Sequence, residues 1–162
     1  MNKVFSYWRD RLRATLGTQR ESFPIGEYKL DAVVDVTSLT EFSATEYAVM
    51  GRQFESEKNY NAPPVNFLNR QWNLQLGTVN GKIYKIAPFL ECENRKEADL
   101  ATNDTLSYCK EHMGKASTEN KGLVVWDTAD GNVVLQPLDK AGLLGVALFI
   151  TSNAVPSFKR NS

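Results

Sequence analysis

The chain has 162 residues, of which 42% are hydrophobic and 23% are charged. These values are ordinary for a globular protein and exclude a largely disordered chain. The 19 basic and 19 acidic residues cancel. A net charge of zero argues against a dedicated nucleic-acid binder, because such proteins gain affinity largely by neutralising phosphates. The length fits one domain, and we expect residues 1–162 to form one.

The cysteine content and the apolar runs bear on where the protein works. Two cysteines, Cys92 and Cys109, are too few for a disulfide framework, so we expect reduced thiols. The first residues lack the apolar core of a secretory signal. The longest apolar run, residues 143–150, is too short to span a bilayer. Together these features predict a soluble, cytoplasmic protein.

The first twenty residues are predicted to carry an amphipathic helix over residues 3–16. Five basic residues against one acidic residue give this segment a net positive charge. One apolar stripe recurs at every fourth position, and it consists of Val4, Trp8, Leu12 and Leu16. The stripe is typical of a helix that packs on its own domain. It also suits docking on an anionic membrane surface or an acidic partner.

The stretch between this segment and residue 72 has weaker patterns. Residues 28–36 and 47–54 are predicted to be strands, with Gly51 weakening the second. Thr37 and Ser38 are suited to cap a short helical turn. Residues 59–64 are rich in turn-forming residues and end in two prolines, so we expect a turn there.

Two hairpins and a buried strand follow. Asn80-Gly81 and Asp130-Gly131 each lie between apolar stretches, which is the strongest short-range hairpin signal. The flanking strands are predicted at residues 72–76, 82–90, 123–126 and 133–138. Residues 143–151 are almost continuously apolar, which predicts a strand buried on both faces.

One helix is predicted over residues 94–113, between the two hairpins. Asn94 can cap the N–H of Glu97 while the Glu97 side chain reaches back, and Gly114 ends the helix. We therefore expect an α+β fold. It would be a twisted antiparallel sheet of about five to seven strands packed on one main helix, plus the N-terminal helix and a frayed tail at residues 156–162.

No catalytic constellation is evident in the sequence. Cys109 and His112 are three apart on the predicted helix, but two such residues do not make a zinc site. The acidic residues around the helix start, from Glu91 to Asp99, are explained by the helix dipole. We predict no catalytic residue, no metal site and no cofactor. A small enzyme that uses Cys109, Cys92 or an acidic pair stays as an alternative.

Aromatic and basic residues before and within the first hairpin suggest a recognition surface, because such residues dominate binding hot spots. The candidate binding residues are Tyr60, Phe67, Arg70 and Trp72, with Trp8 and Arg11 as a second patch. They could equally be packing residues. We predict a non-enzymatic protein-binding module whose partner is another protein and not a nucleic acid. The alternative is a peripheral membrane protein that docks through residues 3–16; the oligomeric state stays open.

Overall fold

The computed structural model describes residues 20–42, 57–120, 122–140 and 142–153. These residues form one helix, a short 3-10 turn at Val36–Ser38, and eight strands. The helix, α1, spans Arg95–Met113. The strands, β1 to β8 in chain order, are Thr40–Phe42, Glu57–Phe67, Arg70–Val79, Lys82–Glu91, Thr118–Asn120, Leu123–Thr128, Gly131–Lys140 and Leu143–Ser152.

All eight strands belong to one antiparallel sheet in the order β1-β2-β3-β4-β8-β7-β6-β5. Neighbouring strands in this order are also consecutive along the chain, except for β4 and β8. Helix α1 is inserted after β4, so the last strand returns to the middle of the sheet. The predicted burial of residues 143–151 on both faces is confirmed only for the middle of β8. Residues 145–148 are all buried, whereas Leu143, Leu144, Phe149 and Thr151 are partly exposed.

Helix α1 begins and ends where the sequence predicts. The side chain of Asn94 accepts from the N–H of Glu97 at 2.9 Å, and Gly114 follows with a positive φ of 79°. The Glu97 carboxylate accepts from the N–H of Glu93 at 3.3 Å, one residue before the cap. The helix packs mainly on β8 and less on β7. Its buried side is narrow and consists of Ala98, Ala101, Thr105 and Cys109.

The face of the sheet that contacts α1, called here the helix face, carries the main core. Residues 20–30 lie beside the helix on this face and add Phe23, Ile25, Tyr28 and Leu30 to the core. Trp72, Trp126, Leu76 and Ile86 are fully buried, and the Trp126 indole N–H donates to the carbonyl of Gly114 at 3.0 Å. The opposite face is called the second face below.

The strand count differs from the predicted five to seven. β1 and β5 have three residues each, which is too short to show a two-residue period. The predicted turn at residues 59–64 is wrong, because these residues lie inside β2. The pairing with β3 shifts between Ala62 and Val65, so Pro63 and Pro64 sit at a β-bulge, where a strand tolerates proline.

The predicted strand at residues 28–36 is also not formed. This stretch makes only isolated bridges, from Tyr28 to Ile25 and from Val33 to Lys82. Asp31 has a φ of 67°, which breaks an extended run. The helical turn predicted to be capped by Thr37 and Ser38 is wrong, because Thr40–Phe42 form β1. Thr37 and Ser38 instead lie within the 3-10 turn Val36–Ser38, which the side chain of Asp35 caps. The predicted N-terminal helix, the strand at 47–54 and the tail at 156–162 lie outside the described residues.

Candidate functional site

The hairpin of β2 and β3 ends in a two-residue turn at Leu68 and Asn69. Their φ values are 49° and 60°, the left-handed pair that a tight hairpin requires. The Trp72 indole N–H donates to the carbonyl of Phe67 at 2.8 Å and so ties the two strands together at this end. Phe67 pairs with Arg70 across the turn. The hairpin end is thus a fixed structure.

Rings from three parts of the chain meet at this hairpin end. Phe67 contacts Trp72 and Tyr108, with ring centroids 5.5 and 5.0 Å apart. Tyr108 and His112 are one turn apart on α1 and stack at 4.8 Å. Phe23 lies against Phe67, Tyr108 and His112 at 6.0, 5.1 and 5.6 Å. These five residues are called here the hairpin–helix cluster.

The hairpin–helix cluster runs from the core to the surface. Trp72 is fully buried and Phe23 is 3% exposed, whereas Phe67 and Tyr108 are half-buried and His112 is exposed. Edge-to-face and offset ring contacts of this kind each stabilise the fold by about 0.5–1.5 kcal/mol, in addition to the hydrophobic gain from the surface that they bury. The outer rings are therefore held in place by the inner ones, while one side of each stays accessible.

A charged pair borders the cluster. The Arg70 guanidinium donates to the Asp104 carboxylate on α1 at 3.0 Å, with both side chains partly exposed. Such an exposed pair contributes about 0–1 kcal/mol to stability. Arg20 donates to the carbonyls of Glu111 and His112 at 3.0 and 2.9 Å, which occupies two acceptors at the end of α1.

The structure brings together three of the predicted binding residues, namely Phe67, Arg70 and Trp72. Tyr60 is on the same strand as Phe67 but pairs with Leu76, and it is 7% exposed. It contributes to the core and is not part of the cluster. The predicted residues Trp8 and Arg11 lie outside the described residues.

Three members of the cluster were missed by the sequence reading. Tyr108 and His112 are four positions apart, a spacing that places two rings on one side of a helix. That signal was available, but His112 was considered only with Cys109. Phe23 had no local signal, because its partners are distant in sequence.

The thiol of Cys109 is unlike an activated nucleophile. Cys109 is fully buried, and burial raises its pKa to about 12. Reactive cysteines show the reverse, a lowered pKa in a partly exposed site. The pKa of Cys92 is also raised, by burial and by the charge of Glu97, against a lowering by Arg70. His112 is exposed while Cys109 is in the core.

A second group of polar residues, not predicted from the sequence, lies on the second face. The register shifts at Gly77 of β3, so that β4 carries one extra residue opposite it and Lys85 pairs with Gly77. On β2, Asn59 also pairs with Gly77. Glu57, Asn59, Tyr84 and Lys85 are at most 5% exposed. These four residues around Gly77 are called here the buried polar cluster.

The geometry of the buried polar cluster is tight. The Lys85 Nζ lies 3.8 Å from the Glu57 carboxylate and 5.2 Å from the centroid of the Tyr84 ring. A Cβ added at Gly77 would lie 3.0 Å from the Tyr84 ring, 3.2 Å from Asn59 Oδ1 and 3.3 Å from Glu57 Oε1. No space for a substrate group is left at this point. Asn59 Oδ1 accepts no hydrogen bond from the residues that the structure describes.

Burial sets the electrostatics of the buried polar cluster. It lowers the pKa of Lys85, an effect that the Glu57 carboxylate partly offsets. Burial, a hydrogen bond to Glu57 and the Glu57 charge all raise the pKa of Tyr84. A buried ion pair of this kind adds little net stability, because the cost of removing both charges from water offsets their attraction. The sequence signals were Gly77 inside a strand and Lys85 within an apolar run.

Among the described residues, no three His, Cys, Asp or Glu side chains are close enough together to hold a metal ion. Likewise, α1, the helix of the described part, is not both long and apolar enough to cross a membrane. Comparisons with protein-family models, with curated proteins and with solved structures return no match to this chain.

Proposed function

We propose that this protein is a non-catalytic binding module that recognises another protein through the hairpin–helix cluster. One observation carries the proposal. Phe67 of β2 meets Tyr108 and His112 of α1, with Arg70 beside them. Phe67 and Tyr108 are half-buried and His112 is exposed. Aromatic side chains and arginine are the residues most enriched at binding hot spots.

The rigidity of the cluster supports the same proposal. Trp72 and Phe23 hold the outer rings from below, and the Trp72 hydrogen bond fixes the hairpin end. A surface that is already ordered loses little side-chain entropy when a partner binds. The exposed rings can therefore contribute their contact area to affinity without first being immobilised.

The state of the cysteines favours binding over catalysis. The enzyme alternative relied on Cys109, whose thiol is buried with a raised pKa. It also relied on a carboxylate pair near the start of α1, where Glu91, Glu93, Glu97 and Asp99 are all exposed. Acid–base work by a carboxylate usually needs an enclosed site that shifts its pKa.

The test is affinity capture from a lysate of the source cells, read by mass spectrometry, with matched variants of the full chain. His112→Ala removes an exposed ring. Tyr108→Leu removes a half-buried ring but keeps an apolar side chain against Phe23 and Phe67. Leu100→Ala is the control, because Leu100 is 50% exposed on the same helix and is not part of the cluster. We expect a protein that is captured by the wild type and the control and lost by both cluster variants.

The captured protein is then purified and titrated against each variant by calorimetry. We expect the cluster variants to weaken binding at least tenfold, which is about 1.4 kcal/mol. Equal affinity of wild type, control and cluster variants would refute the recognition surface. Circular dichroism confirms that each variant is folded, so that lost binding reports on the surface.

A further inference from the structure

A short extended stretch, residues 32–35, continues the line of β8 along β4 and is called here the edge segment. β8 pairs with β4 as far as Thr151, which lies opposite Lys85. Lys82, at the start of β4, pairs instead with Val33 in an antiparallel bridge. The edge segment therefore takes the place beside β4 that β8 leaves vacant.

The hydrogen bonds of the edge segment show which way its backbone groups point. The N–H of Ile83 donates to the carbonyl of Ala32 at 2.9 Å. The N–H of Val34 donates to the carbonyl of Gly81 at 3.3 Å. In an antiparallel pair, the N–H and C=O groups of successive residues point alternately to the two sides of the strand. The N–H and C=O of Val33 therefore point away from β4, where no described residue forms a hydrogen bond with them.

The side chains of the edge segment differ in their surroundings. Val34 is partly buried against the core of the helix face. Val33 is 79% exposed, the highest value among the exposed large hydrophobic residues of the described chain. Asp31 and Asp35, two positions to either side of Val33, are exposed as well. The open edge thus presents one apolar side chain that is flanked by two carboxylates.

Both carboxylates are held in place by hydrogen bonds. The Asp31 carboxylate accepts from the Ser152 hydroxyl at 2.7 Å, and the Asp35 carboxylate accepts from the N–H of Thr37 at 3.0 Å. The bond from Thr37 favours the charged form of Asp35 and lowers the pKa of this carboxyl. The two acidic groups therefore stay at fixed places beside Val33.

A second copy of this chain would fit the open edge poorly. Antiparallel pairing centred on Val33 would place Asp31 of each copy opposite Asp35 of the other. Like charges directly opposite each other destabilise a strand pair, whereas opposite charges stabilise it. The charge pattern therefore favours a different protein, one that carries basic residues at these two places.

We propose that the edge segment binds an extended segment of another protein in which an apolar residue lies between two basic residues at alternate positions. The bound segment would add to the sheet as an antiparallel strand, and its backbone would pair with the N–H and C=O of Val33. Its apolar side chain would cover Val33, and its basic side chains would meet Asp31 and Asp35.

The edge segment lies at the other end of the sheet from the hairpin–helix cluster. β3 runs from Arg70, beside the cluster, to Val79, next to the turn whose Gly81 carbonyl accepts from Val34. Its 10 residues span about 33 Å. Binding at the edge segment is therefore independent of the function proposed above and can be tested separately.

The probe is a synthetic peptide, Thr-Lys-Thr-Ile-Thr-Lys-Thr with blocked ends, titrated into the isotope-labelled full chain and followed by amide NMR signals. We expect the signals of residues 32–35 and Lys82 to shift progressively. A peptide with Glu in place of both Lys should bind about fivefold or more weakly, because it opposes like charges. Shifts only at other residues, or none at millimolar peptide, overturn the proposal. Signals of the edge segment that move with protein concentration alone would indicate a second copy and overturn it too.

Three variants of the full chain separate backbone pairing from charge. Val33→Pro removes the outward N–H and leaves both hydrogen bonds to β4 in place, since neither uses this group. Val33→Thr keeps the N–H and is its matched control. Asp35→Asn removes one charge, while its amide oxygen can still accept from Thr37. We expect Val33→Pro to abolish the peptide shifts and Asp35→Asn to weaken binding of the Lys peptide. Val33→Thr, and His112→Ala in the hairpin–helix cluster, should bind within about twofold of the wild type.

Hydrogen exchange shows whether the edge segment stays in place in each variant. The amide of Ile83 donates to Ala32, so its protection reports the pairing with β4. Where protection is kept, peptide binding by Val33→Pro as strong as by the wild type overturns the proposal. If Val33→Pro loses protection, the comparison of Asp35→Asn with the wild type decides. Equal affinity of these two proteins for the Lys peptide would then overturn it.

Discussion

At the scale of single residues, Gly77 lies at the centre of the buried polar cluster and is closely surrounded by its side chains. A methyl group there would lie 3.0–3.3 Å from Tyr84, Asn59 and Glu57, which are all buried. None of these groups is the free end of an exposed side chain. The absence of a side chain at Gly77 is therefore what lets the buried polar cluster close.

We expect Gly77→Ala to lower the free energy of unfolding by about 1–3 kcal/mol, the usual effect of overpacking. Urea unfolding followed by circular dichroism measures it. Asn73→Ala, at an exposed position of the same strand, is the control and should change stability by less than about 0.5 kcal/mol. A neutral Gly77→Ala would show that the cluster is loosely packed.

Cys109 makes stability depend on pH in the alkaline range. Its thiol keeps its proton to about pH 12 in the folded chain, against a value of 9.0 for the unfolded thiol. Above pH 9 the unfolded state therefore loses a proton that the folded state retains. We expect the free energy of unfolding to fall through this range, by about 1.4 kcal/mol for each pH unit from this group.

Urea unfolding at pH 8.5, 9.5 and 10.5 isolates this contribution when the wild type is compared with Cys109→Ala. Other groups titrate in the same range, but they are present in both proteins and cancel in the difference. The variant should be less stable than the wild type at pH 8.5. The difference between their free energies of unfolding should become smaller as the pH rises. A constant gap would mean that the thiol is accessible to water.

At the scale of elements, the edge of the sheet beside β2 is protected by two different means. β1 covers only Asn59, Tyr60 and Asn61 of this strand of 11 residues. Beyond them come Pro63 and Pro64, which are exposed and have no N–H to offer to another chain. Proline and bulges on edge strands prevent edge-to-edge association.

We expect the double substitution Pro63→Thr, Pro64→Val to promote self-association, because it restores two backbone donors and high strand propensity at this edge. Size-exclusion chromatography with light scattering over a range of concentrations measures it. Asn66→Thr raises strand propensity in the same strand without adding a donor, and it should behave like the wild type. If all three proteins showed the same degree of self-association, the prolines would not be needed and β1 alone would protect the edge.

The sequence predicted those elements whose formation depends on residues close together in the chain, namely hairpin turns and a helix cap. Asn80-Gly81 predicted the first hairpin and both residues have the positive φ that its turn requires, while Asn94 predicted the start of α1. The second hairpin is formed, but its turn is Ala129-Asp130, one residue before the predicted Asp130-Gly131. β2 was missed because the effect of Pro63 and Pro64 depends on the register with a partner strand.

The candidate sites show the same limit. Phe67, Arg70 and Trp72 are near one another in sequence and were predicted together. The buried polar cluster joins three strands around Gly77 and depends on a one-residue shift between β3 and β4. Gly77 and Lys85 are each unusual within their strands, but no pattern within a single strand specifies such a shift. The sequence therefore does not bring these residues together in one cluster.

At the scale of the whole molecule, the position of β8 beside β4 governs how the sheet can assemble. In the described residues, every other pair of neighbouring strands is consecutive along the chain. At this seam Gly145 pairs with Glu91, and a Cβ at Gly145 would fall on the carbonyl oxygen of Leu90. The two halves of the sheet can each form quickly from local hairpins. The seam joins residues that are separated by α1 and three strands, so its loop closure is entropically costly. We therefore expect the seam to form after the local hairpins, with the close approach at Gly145 made at this late step.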